Sequence, residues 1–151
     1  MAQQTAEKST SELWRRLFYT SSVDKFLELE KSSISLPSFS DYIGRLCENK
    51  GEKPERVIRR ANLDSSFGHR LFSGTRKPSR DTVLQLAFGL ELGCDETQQL
   101  LKVAREAALH PKVKRDAIIA YALHRRLPLD KAQQLLAEND LPILGGEKHG
   151  S

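Results

Sequence analysis

The side chains best suited to chemistry lie between residues 50 and 80. Lys50, Lys53, Arg56, Arg59, Arg60, Arg70, Arg76, Lys77 and Arg80 stand there against Glu52, Glu55 and Asp64, a local balance of +6 in a chain of net charge +4. The remainder of the 151 residues is therefore slightly acidic. Interleaved with these cations are the hydroxyls of Ser65, Ser66, Ser73 and Thr75 and the imidazole of His69. Fixed positive charge beside small hydrogen-bonding side chains suits a polyanion met by one face, because neutralised phosphates release their condensed counterions. Catalysis is poorly served. There is no Gly-rich phosphate loop, no GxSxG and no HExxH, and the acid pairs Asp95/Glu96 and Glu138/Asp140 fall where helix ends account for them. Cys47 and Cys94 stand alone, with no CxxC and no His at ligand spacing, so they read as small core residues. The chain is expected not to be an enzyme and to need no cofactor or metal.

Holding such groups in place falls to helices, since no alternating strand pattern appears anywhere and a 3.6-residue period recurs. Hydrophobic residues make up 38% and charged residues 29%, ordinary for a globular protein. No run approaches the roughly 18 apolar residues of a membrane span, and MAQQTAEKST lacks the basic-then-apolar pattern of a secretory leader, so a cytoplasmic location away from membranes is expected. Leu13, Trp14, Leu17 and Phe18 form one helical face, with Trp14 read as a packing anchor, and Val23, Phe26 and Leu27 form a second short piece before a linker near 31–37. Ser38 and Asp41 open the next helix, Gly51 closes it, Pro54 starts another, Asn62-Leu63 makes a turn, and Asp64 caps a short helix ending at Gly74. On the second of these helices Arg59 and Arg60 read as solvated surface.

A shift of 35 residues lays SRDTVLQLAFGLELGCDETQQLL over KRDAIIAYALHRRLPLDKAQQLL, with nine identities in 23 positions. Each copy reads as a helical hairpin whose second helix starts near Gly93 or Pro128. Neither hairpin can bury its apolar stripe alone, so the two are expected to stack into one core over 79–141.

The run KPERVIRRANLDSSFGHRLFSGTRKPSR at 53–80 resembles the helix-turn-helix of the lambda-repressor-like (XRE) family, with Val57, Asn62-Leu63, Asp64, Gly74 and Lys77-Pro78-Ser79 at the matching places. Residues 12–144 also resemble a group of small bacterial proteins within it that carry an N-terminal helical arm and an RRDAII-like C-terminal hairpin, here KRDAIIAYAL. The resemblance implies an all-α fold. It would comprise an arm and linker at 1–37, a helix-turn-helix domain at 38–91, a helical extension packed on it at 92–144 and a flexible tail at 145–151. It implies base reading in a DNA major groove by Ser65, Ser66, His69 and Arg70, and phosphate contacts from Lys53, Ser73, Thr75, Arg76 and Lys77. It further implies a transcriptional regulator, binding double-stranded DNA as a homodimer.

The family pattern is broken at two places, where Ala and Ile or Val are usual and this chain has Ile58 and Gly68. If these face each other, bulk has been exchanged across one contact. A second reading is a helix-turn-helix scaffold that binds another protein through its arm or C-terminal hairpin, with weak or no DNA recognition.

Overall fold

Each predicted helix start and stop is matched by local geometry in a computed structural model of the chain, which describes residues 9–33 and 36–146. Predicted features at 1–8 and 147–151 lie outside the described residues. Among the described residues the protein is helical, with no strand. It divides into a unit ending at Leu36, with α1 (Thr10–Tyr19) and α2 (Val23–Leu29), and a unit beginning at Pro37. The second unit holds α3 (Phe39–Lys50), α4 (Pro54–Arg60), α5 (Ser65–Ser73), α6 (Arg80–Gly89), α7 (Cys94–Val103), α8 (Lys114–His124) and α9 (Leu129–Glu138). No described helix is long and apolar enough to cross a membrane.

Caps fix these boundaries by satisfying first-turn amides that have no helical acceptor. Ser38 Oγ accepts from the Asp41 amide at 3.2 Å, Asp64 Oδ2 from Phe67 at 3.0 Å, and Ser79 Oγ from Thr82 at 3.2 Å. Gly51 and Gly74 end α3 and α5 at φ +67° and +88°, a left-handed conformation natural to glycine. Side chains without that freedom take the same role at Asn62, Glu91, Arg105, Arg126 and Asp140, with φ between 57° and 62°.

Helix α6 is the centre of the second unit, buried without interruption from Thr82 to Leu90. Its face toward α4 works because Gly89 has no side chain: a Cβ there would lie 2.5 Å from the Val57 carbonyl oxygen. Two polar side chains tie the same joint. Gln85 Nε2 donates to the Ala61 carbonyl at 3.0 Å, and Arg60 donates to the Gly89 carbonyl through Nε at 3.0 Å and Nη2 at 2.7 Å. Arg60 is thus not the solvated residue its sequence position suggests. Its guanidinium is half-buried and pairs with Glu52 at 3.3 Å.

The 35-residue repeat has a physical counterpart in two hairpins, α6–α7 and α8–α9, joined by crossed latches. Arg80 donates to both carboxylate oxygens of Asp116, at 3.1 and 3.0 Å, and Arg115 to both of Asp81, each at 3.1 Å. Each arginine also gathers two carbonyls from the end of its own hairpin: Ala107 and Ala108 for Arg80, Pro142 and Ile143 for Arg115. Gln98 exchanges two hydrogen bonds with the Leu109 backbone, and Gln133 repeats this with Leu144. Because residue i of one copy meets j of the other and the reverse also holds, the two copies are related as in an isologous two-fold pair. The equivalence extends past the 23 aligned positions to Leu109 and Leu144, both buried.

Burial, the largest influence on Asp81, pushes its carboxyl up. The hydrogen bonds from Arg115, the amide of Gly145 and the fields of Arg115 and Arg80 outweigh it and hold the group below its ordinary value. That Gly145 amide donates at 3.0 Å, so the start of the predicted tail is tied to α6.

Candidate nucleic-acid interface

Helix α5 sorts its residues by face. Gly68 and Leu71 are buried and Phe67 and Phe72 half-buried, while Ser65, Ser66, His69, Arg70 and Ser73 are exposed. The exposed set falls at i, i+1, i+4, i+5 and i+8, one stripe of a helix. All four predicted base-reading residues therefore share one outward surface with Ser73, and it carries no carboxylate.

Close packing holds that surface from behind. A Cβ on Gly68 would meet three carbons of the Ile58 side chain at 2.5, 2.7 and 2.9 Å, so Ile58 fills the space that a larger residue at 68 would need. The facing of these two residues makes α5 a well-seated element despite a helix-interior glycine that costs about 1 kcal/mol relative to Ala.

The loop after α5 is gathered onto one acceptor. The amides of Gly74, Thr75 and Arg76 converge on the Arg70 carbonyl at 3.0, 3.0 and 3.3 Å, and Ser73 Oγ donates to it at 3.2 Å. Ser73 and Thr75 hydroxyls lie 3.3 Å apart, and the Arg76 guanidinium sits 5.2 Å from the centre of the Phe67 ring. The structure thus brings Ser73, Thr75 and Arg76 together with α5, and Lys77 follows them in the same exposed loop. Lys53 is exposed at the start of α4, joined to the others by no hydrogen bond or ion pair.

The basic stretch is smaller than its sequence count. Lys50 lies 3.9 Å from Glu96, Arg60 is held by Glu52, and Arg80 by Asp116. Lys53, Arg56, Arg59, Arg70, Arg76 and Lys77 remain exposed with no ion pair among the described residues, against only Glu55 and Asp64. Sequence reasoning missed the positioning roles of Arg60, Gln85 and Gly89; a glycine inside the apolar run of α6 was the one signal available for the last.

No family model, curated protein or solved structure matches this chain.

The cysteines take no part in the surface. Burial raises the thiol of Cys47, helped by the Glu52 carboxylate, and burial likewise raises that of Cys94, so both are held as neutral thiols. No group of three or more His, Cys, Asp or Glu among the described residues is arranged to hold a metal ion.

Proposed function

We propose that α4 and α5 form a helix-turn-helix of the lambda-repressor-like family and that the protein is a sequence-specific transcriptional regulator of double-stranded DNA in a bacterial cytoplasm. The observation that carries this reading is the outward stripe of α5, where Ser65, Ser66, His69 and Arg70 are exposed together on a helix braced by Ile58. A B-DNA major groove about 12 Å wide admits such a helix. In this reading Arg70 donates in bidentate fashion to guanine O6 and N7, and the serines and His69 meet neighbouring base edges or phosphates. Lys53, Ser73, Thr75, Arg76 and Lys77 contact phosphates, setting register and affinity without reading sequence.

The test is selection of bound sequences from a random duplex pool at near-physiological salt. The wild type is expected to enrich a defined motif. Arg70→Ala should relax one base position and weaken the best site roughly 10- to 100-fold. Lys77→Ala should weaken all sequences alike and lower the slope of log K against log salt by about one. A folded wild type that enriches nothing would sink the DNA-reading proposal and favour a protein-binding scaffold.

A further inference from the structure

The unit ending at Leu36 leaves most of its apolar residues uncovered. Trp14, Phe18 and Tyr19 of α1 are 54, 70 and 84% exposed, and Val23, Leu27 and Leu29 of α2 are 57, 47 and 72% exposed. Among the described hydrophobic residues of this unit only Phe26 is buried. Yet α1 and α2 are well-formed helices with side-chain caps at Ser9 and Ser22, and Arg16 bridges Glu12 and the buried Glu30 at 3.1 and 3.2 Å. Trp14 stacks on Phe18 at 5.3 Å between ring centres. This is an ordered apolar surface in search of a cover.

We infer that the α1–α2 arm is the dimerisation element and that its occupant is the arm of a second copy of this chain. Area and charge carry the choice. At these exposures the three aromatic residues present on the order of 400 Å² and the three aliphatic residues on the order of 200 Å² more. Two copies would bury about 1,200 Å², the lower edge of stable specific interfaces, and the roughly 600 Å² on one copy is at the upper end of what monomers commonly leave open. Residues 9–33 hold Arg15, Arg16, Lys25 and Lys31 against Glu12, Asp24, Glu28 and Glu30, so two arms meet without net repulsion. The sign is also divided: α1 is net positive through Arg15 and Arg16, and α2 net negative through Asp24 and Glu28. An isologous pair that sets α1 of one copy on α2 of the other therefore pairs opposite charges at both places. The C-terminal hairpin is the weaker candidate, because its inner face is already closed by the latches to Asp81 and Arg80.

This inference deepens the DNA-binding proposal, since a two-fold arm would present two α5 helices to a palindromic site, but its test needs no DNA. Sedimentation of the full chain should give twice the 17.1 kDa monomer mass at tens of micromolar. The emission of the single tryptophan, Trp14, should shift red on dilution as its ring is uncovered. Phe18→Glu should raise the dimer Kd at least about tenfold, as loss of a well-packed aromatic at an interface does. Arg15→Glu should raise it several-fold, and Arg15→Glu with Glu28→Arg should restore it, with helicity unchanged throughout. Tyr121→Glu, on the exposed side of α8, should leave the dimer intact. A wild type that stays monomeric at about 100 μM, a dimer that survives Phe18→Glu, or one dissociated by Tyr121→Glu would overturn the inference. Any of these would leave duplex binding to be judged on its own experiment.

Discussion

The two hairpins share a plan and differ in what covers them. Leu86 on α6 is fully buried, whereas its counterpart Tyr121 on α8 is 49% exposed. Gly89 is buried against α4, and its counterpart His124 faces solvent; Leu90 and Arg125 divide in the same way. Where the latches join the copies, their residues agree, Arg80 with Arg115 and Asp81 with Asp116, and Gln98 and Gln133 agree in tying the end of each copy to its own second helix. Agreement ends where one copy carries α4 and the other carries water. The difference teaches that the α6–α7 hairpin is the load side of a near-symmetric frame, and that its extra burial positions α4 and, through Ile58, α5.

The sharpest way to break this comparison is at Gly89. Gly89→Ala drives a methyl toward the Val57 carbonyl and should destabilise the protein by about 3 kcal/mol, the upper range of overpacking, in urea or thermal melts. The matching change on the open side, His124→Ala, should stay within about 0.5 kcal/mol. Next come the latches, equivalent in design and unequal in burial. Asp116→Ala removes a side chain only 7% exposed and should destabilise by about 2 to 3 kcal/mol, because it leaves the half-buried Arg80 without its carboxylate. Asp81→Ala, at 31% exposure, should lose about 1 kcal/mol. Asp81 also gives the sign of an acid dependence. Its folded pKa is lowered, so its contribution is present above the unfolded value near pH 4 and is lost as pH falls through the lowered one. Below about pH 4 the wild type should therefore lose stability faster than Asp81→Asn. A loss of the same size as at Asp81 tests the second joint of the load side: Gly68→Ala should destabilise by about 1 kcal/mol, overpacking against Ile58 exceeding the helix-propensity gain. In an Ile58→Ala background the same change should become stabilising.

Helix boundaries were legible in the sequence because their causes are local. Ser38, Asp64 and Ser79 cap, Pro54 opens, and Gly51 and Gly74 close, each within a few residues of what it controls. The repeat was legible because it recurs at one spacing. Ser65, Ser66, His69 and Arg70 were singled out by the family resemblance, and their spacing is that of one helix face. What escaped was partnership across distance. Arg60 and Arg80 are counted as surface charge in a linear reading, yet their acceptors lie 29 and 36 residues away. A glycine inside the apolar run of α6 hints at a close approach, but one sequence does not say that α4 is the helix that comes near Gly89. The exposure of Trp14 was equally hidden, since an amphipathic pattern states that a face is apolar and not what covers it.

The crossed latches have a consequence for how this protein is made. The strand of contacts that secures α6 ends at the bond from Gly145 to Asp81, spanning 64 residues. A ribosome that has just released α5 has therefore produced a helix whose supporting core is still unsynthesised. Nascent or cleaved chains lacking the second hairpin expose the apolar flank of α6, a mark that proteases and chaperones recognise. A chain translated as far as Gly145 is the first in which α6 carries this last anchor, so the packing behind α4 and α5 is complete only late in synthesis.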